Sequence, residues 1–463
     1  MKLRKKFIGD KKFYKMLFMI TLPIVVQNGI SNFVNLLDNI MVGQTGTEQM
    51  SGVAVANQLI FVFNICIFGI VSGAGIFGAQ FYGCRDRQGF RNTFRFKLIY
   101  GTLAAVAGIL IFWFWGETLI GLFLHDDGGT GDVEITLYYG MKYLKLMLIG
   151  LPAFVLTQAY TSSLREMGKT VLPMRAGMSA IMVNMVLNYV LIFGKFGAPK
   201  MGVAGAAVAT VISRFVEVSV VLIAVHRNTG EYPFIQEAYQ TLKIPGELQK
   251  KILVKGSPLI LNEALWACGM AVLSQSYSTR GLAVVAGINI SSTISNVFNV
   301  LYLSLGNAVG IIVGQLLGAG KMEEARETDT KLIAVSMASC VVLGSIMILL
   351  APWFPKIYNT TDEVRGLAVS FIISLAVLMP FEAFCHACYF TLRSGGQTII
   401  TMLFDSVYLW LVSIPVARFL TGSTVLPITT VFFFCQALNL GKCMIGLIFL
   451  KKGVWLRNIV AEK

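Results

Sequence analysis

Long uninterrupted apolar runs set the folding problem for this chain. Stretches such as LAAVAGILIFWFW and FFFCQALNLGKCMIGLIFL are continuous, whereas a membrane β-barrel shows short alternating segments of about ten residues. One helical crossing of a bilayer takes about 20 apolar residues, so twelve crossings need roughly 240. The chain can supply that number, since 56% of its 463 residues are hydrophobic. Only 13% are charged, against about 25% in soluble globular proteins, and the mean hydropathy is +0.71. This balance excludes a cytosolic enzyme, a disordered chain and a secreted disulfide scaffold. The expected fold class is an all-α integral membrane bundle with little chain left for a soluble domain.

Apolar runs read against charge clusters place the spans at about 16–40, 51–81, 98–116, 136–164, 171–194, 201–225, 252–279, 282–317, 332–351, 365–392, 397–419 and 424–450. The N-terminal MKLRKKFIGDKKFYK leads into a full-length span, so no signal peptide is expected. The net charge of +14 answers first to the positive-inside rule and not to a nucleic-acid partner. With both termini cytoplasmic, the inward segments 2–15, 85–97, 165–175, 227–255, 321–331, Arg393 and 442–463 carry 29 of the 38 Lys and Arg. The loop FLHDDGGTGDVE has neither, as an outward loop should. These features predict an even number of spans in the cell membrane, plasma or inner, with lipids as neighbours.

The sequence also repeats. Adding 235 maps Pro23, Asn64, Gly75, Gln80 and Gly83 onto Pro258, Asn299, Gly310, Gln315 and Gly318. Adding 228 maps Pro152, Leu164, Arg165, Gly168 and Thr170 onto Pro380, Leu392, Arg393, Gly396 and Thr398. The expectation is an N-lobe over 1–225, a cytoplasmic linker over 226–251 with a short amphipathic helix on the membrane, and a C-lobe over 252–463. Halves with an even number of spans enter the membrane in one orientation. Twelve transmembrane helices thus form two six-helix lobes related by pseudo-twofold symmetry along the membrane normal, with substrate handled where the repeats meet. The eight cysteines lie almost all in apolar segments and read as small buried hydrophobes, with no structural disulfide expected.

An ionisable side chain at bilayer depth costs at least about 2.5–3.5 kcal/mol on insertion scales and marks a functional candidate. Asp38 lies near the outward end of the first span, Glu263 five residues after Pro258, and Glu382 two residues after Pro380. Such acids, facing water, can exchange a proton or neutralise a cation. Arg214 and Glu217 are spaced to pair along one face of span six, and Arg214 maps by 228 onto Lys442. That repeated cation is either a symmetric structural device or a contact for an anionic substrate or lipid. Asn184 and Asn188 share one face of span five, with Thr210 in span six able to face them, as interhelical glue or as a polar network.

Other motifs lead nowhere. SLREMGKT has Ser163 where a phosphate-binding loop needs its first glycine, and no ATP-driven engine is encoded. CHAC at 385–388 lies inside an apolar run without a second pair, and His125, His226 and His386 are far apart, so no metal or catalytic cluster is visible.

DNIMVGQTG with AVANQ in the first two spans, GAQFYG and GQLLGAG after spans two and eight, LREMGKT and LRSGGQT after spans four and ten, and GVAGAAVAT in span six resemble the multidrug and toxic compound extrusion (MATE) family of the multidrug/oligosaccharidyl-lipid/polysaccharide flippase superfamily. The resemblance runs through all twelve spans in register. It implies a non-enzymatic secondary antiporter with no cofactor, exporting organic cations or amphipathic drugs in exchange for Na⁺ or H⁺. It implies that Asp38, Asn184, Asn188 and Thr210 form a cation site in the N-lobe and that Glu263 and Glu382 are acids of the C-lobe. Each of the three carboxylates is then a candidate Na⁺ ligand. The alternative is a lipid-linked oligosaccharide flippase of the same superfamily, which accommodates Arg214 and Lys442.

Overall fold

The computed structural model describes residues 7–124 and 132–461. The centre of the acidic loop, His125 included, and four of the N-terminal Lys and Arg lie outside the described residues. Twelve helices are long and apolar enough to cross a membrane: α1 (Lys11–Gly43), α2 (Thr47–Gly83), α3 (Arg87–Gly121), α4 (Val133–Glu166), α5 (Val171–Phe193), α6 (Val203–Arg227), α7 (Gly246–Ser278), α8 (Leu282–Gly318), α9 (Met322–Leu350), α10 (Asp362–Ser394), α11 (Thr398–Ser423) and α12 (Ile428–Lys452). The chain is a multi-pass membrane protein, and no strand occurs among the described residues.

Each expected span coincides with one helix, but α3 and α9 begin about ten residues before their apolar runs. Helical hydrogen bonding does not stop at the edge of an apolar stretch. Asp86 caps α3, its side chain accepting from Gly89 N at 2.9 Å, so the basic residues at 87–97 are helical and not loop. Pro23, Pro152, Pro258 and Pro380 all lie inside helices, which membrane bundles tolerate because neighbouring groups satisfy the freed carbonyls. In α11 two π-helical turns, Leu403–Val407 and Leu409–Ser413, precede Pro415. Pro415 cannot donate to the carbonyl one turn earlier, and such wide turns are frequent at functional sites.

The chain divides into two compact units. The N-terminal unit comprises Val26–Gly78 and Asp86–Leu253. Within it α4 packs against α3 and α6, and α5 against α6, around buried Phe63, Ile67, Leu144, Leu151 and Val155. The connector after α6 belongs to this unit but does not form the expected amphipathic helix. Residues 228–245 run through turns, broken by Gly230, Pro233 and Pro245. Phe234 is fully buried, edge-on to Phe90 and close to Phe94. Arg95 donates to the carbonyls of Ala238 and Glu237, both at 2.8 Å. An aromatic anchor and a guanidinium clamp thus replace helical hydrogen bonds.

The C-terminal unit comprises Met1–Val25, Ala79–Arg85 and Val254–Lys463. Here α8 and α9 pack on α10, and α12 packs on α10. The ends of α2 and α8 cross with no room for a side chain. A Cβ on Gly83 would lie 2.0 Å from the Gln315 carbonyl oxygen, and one on Gly318 would lie 2.0 Å from that of Gln80. Since 80 and 83 map onto 315 and 318, each repeat gives the glycine that the other's backbone needs. The tail after α12 closes on this crossing. Trp455 is buried, Gln80 Nε2 donates to the Ser394 and Arg457 carbonyls at 2.8 and 3.2 Å, and Ile459 N donates back to Gln80 Oε1 at 2.9 Å.

Candidate functional site

In the N-terminal unit, α1, α5 and α6 bring Asp38, Asn184, Asn188 and Thr210 together. Asn188 Nδ2 donates to Asp38 Oδ1 at 2.7 Å. With the Asn184 amide turned to satisfy both its ends, its nitrogen lies 2.9 Å from Asp38 Oδ2 and its oxygen accepts from Thr210 Oγ1 at 3.3 Å. The four-residue spacing on α5 puts both amides on one face, as the sequence predicts. Asn188 is buried, and its Oδ1 has no partner among the described residues. A carboxylate beside a neutral, unbonded amide oxygen is a donor set for a small cation or for the proton of a carboxylic acid.

Glu263 and Glu382 both fall in the C-terminal unit. Tyr389 donates to Glu263 Oε1 at 3.1 Å, while Glu382 takes a hydrogen bond from Asn439 Nδ2. The Glu263 branch leads to a pair that the sequence left unmatched. Lys442 Nζ lies 2.5 Å from Asp405 Oδ1, with both side chains largely buried. Asn262 Nδ2 reaches Asp405 Oδ2 at 3.2 Å and the Tyr389 oxygen at 3.5 Å. Ser406 fixes Asn262, donating to its Oδ1 at 2.7 Å. The π-helical turn of α11 is what places Asp405 and Ser406 here.

The MatE family model matches residues 23–190 and 258–419, two stretches that begin at the repeat-related Pro23 and Pro258. The chain belongs to the MatE family. It is a transporter and not an enzyme. It is 24% identical to a Thermotoga maritima protein named probable multidrug resistance protein NorM, over 97% of this chain and 94% of that one. It is 25% identical to multidrug resistance protein PmpM of Pseudomonas aeruginosa, over 87% of this chain and 83% of that one. Its fold superposes with a TM-score of 0.86 on an outward-facing multidrug resistance MATE family transporter of the MOP superfamily, at 19% identity and 98% coverage of both chains. An Asp-to-Asn mutant of the Vibrio cholerae MATE transporter VcmN gives the same score at 16% identity, over 96% of this chain and 98% of that one.

Against the sequence expectations, Arg214 and Glu217 of this MatE chain make no direct ion pair among the described residues. The Arg214 guanidinium lies over the Phe154 ring, 5.1 Å from its centroid. Lys97 is a second departure. It counts as a loop charge in the sequence, yet it is fully buried on α3, 2.5 Å from Glu166 Oε1 and 3.0 Å from Ser163 Oγ. Gly75 and Gly78 make the room, since a Cβ on either would fall within 2.9 Å of a Glu166 oxygen. Asp329, on α9, is likewise buried and takes a 2.6 Å hydrogen bond from Thr391. Asp405 met the same criterion that singled out Glu263, an acid within an apolar run, but its cation is 37 residues away.

Proposed function

We propose that this chain is a secondary antiporter that exports organic cations or amphipathic drugs in exchange for Na⁺ or H⁺. The observation that carries the reading is the Asp38 cluster, a carboxylate held by two amides between helices α1 and α5 beside the unbonded Asn188 Oδ1. Desolvated carboxylates are retained in membrane helices where their charge is used. Asp38 would take the coupling ion, Asn188 Oδ1 would add a neutral ligand, and Thr210 would hold the Asn184 amide in register. Glu263 and Glu382 would receive the exported cation or its counter-ion. Relatives named as multidrug resistance proteins support a small-molecule substrate. The flippase alternative is not favoured. The chain's relatives are named multidrug resistance proteins, and of the two repeat-related cations Lys442 is held by a carboxylate. We place both termini in the cytoplasm on the charge asymmetry.

The test is uptake of a fluorescent cation by everted vesicles under an imposed Na⁺ or H⁺ gradient. Asp38→Asn keeps the size of the side chain but cannot bind a proton or neutralise Na⁺. It should abolish gradient-driven transport with the protein still inserted. Wild-type transport by that variant would remove Asp38 from the mechanism.

A further inference from the structure

The repeat relation exposes a difference in charge between the two halves. Arg214 and Lys442 are 228 apart, but the positions equivalent to Glu382 and Asp405 are Phe154 and Gly177. Arg214 therefore faces a phenyl ring, whereas Lys442 is bonded to Asp405. Asp405 is linked to Glu263 through Asn262 and Tyr389. Within that hydrogen-bonded network, ionised Glu263 and Asp405 against Lys442 leave a single net negative charge.

An alkylammonium on a four-carbon stem has the chemistry of an organic cation ligand, so a lysine inside such a cluster competes with any cation that enters it. We infer that Lys442 is a resident cation whose pairing with Asp405 sets the charge capacity of this cluster, so that the site takes monovalent organic cations in preference to divalent ones. The inference rests on the reading that Glu263 and Glu382 receive the exported cation. Asp405 and Lys442 are then selectivity residues that need not touch the substrate. Like-signed groups set against the wrong ligand are a general route to specificity.

Ethidium and propidium share one ring system and carry one and two positive charges, so they separate charge from shape. Binding of each to the purified full chain in detergent is read by fluorescence polarisation. Wild type should bind ethidium about tenfold or more tighter than propidium, the equivalent of about 1.4 kcal/mol. Lys442→Met should remove that preference by strengthening propidium binding. Asp405→Asn leaves the Lys442 charge uncompensated and should weaken ethidium about tenfold, while Asp405→Asn/Lys442→Met should restore it to within about threefold of wild type. An unchanged ethidium-to-propidium ratio in Lys442→Met, or no rescue in the double variant, would overturn the inference. If Lys442→Met fails to accumulate, the comparison of Asp405→Asn with the double variant decides alone. Glu263→Gln tests the underlying reading separately. Unchanged ethidium binding there would dismiss Glu263 as a ligand, and the ratio in Lys442→Met would still report whether Lys442 sets charge preference.

Discussion

Lys97 and Glu166 form a desolvated ion pair whose removal gives opposite results depending on how it is done. Their side chains are 0% and 8% exposed, with 2.5 Å between nitrogen and oxygen. At that distance and an effective dielectric near 20, the attraction is roughly 7 kcal/mol. Desolvation costs several kcal/mol for each ion, so the net worth of the pair is near zero. Removing one member leaves the other's buried charge without its ion-pair partner. Lys97→Met and Glu166→Gln should each destabilise by about 3–5 kcal/mol, and Lys97→Met/Glu166→Met should recover most of the loss. For a unit of this size that is a drop of about 6–20 °C in melting temperature for either single variant. Thermal unfolding of the detergent-solubilised protein, followed by size exclusion, reads it out. Equal, additive losses in the two singles and the double would show that Lys97 and Glu166 do not act as a pair, and the reasoning from burial would fail.

Two further perturbations follow from packing. Gly83→Ala and Gly318→Ala each drive a methyl into a carbonyl at 2.0 Å, and each should cost about 1–3 kcal/mol. Gly366→Ala, whose Cβ would meet nothing within 4 Å, should be neutral or stabilising in the same melting assay. Arg95→Lys removes the planar fork that holds the Ala238 and Glu237 carbonyls. Limited proteolysis of that variant should cut the connector between 228 and 245 faster than in wild type, at unchanged global melting temperature.

The periodicity and length of the apolar runs made the twelve helices legible, because one bilayer crossing imposes one length on every span. The repeat was legible through Gly83, Gln80 and their partners because a backbone crossing tolerates no alternative residue. The Asp38 cluster could be read because Asn184 and Asn188 are neighbours on one helix and Thr210 follows a short loop. The C-terminal network was only half visible. Glu263 and Glu382 announce themselves as acids in apolar surroundings, but the network behind Glu263 runs through Asn262, Asp405 and Lys442 on three helices, a tertiary arrangement that includes a π-helical turn. Lys97 was hidden for a different reason: hydropathy ends a span at the first cluster of charges, while the helix and its burial continue. The connector departed from an amphipathic helix because Pro233 and Pro245 interrupt it and Phe234 has a pocket to fill.

The proposed function requires obligatory exchange of an organic cation for Na⁺ or H⁺. It is tested most directly in liposomes containing the purified protein, with an ethidium gradient as the sole source of energy and no initial gradient of either ion. Efflux of ethidium should drive Na⁺ or H⁺ in the opposite direction, detected by an ion-sensitive dye, and Asp38→Asn should abolish both fluxes together. Ethidium movement at the wild-type rate without any counter-flux of Na⁺ or H⁺ would contradict the account.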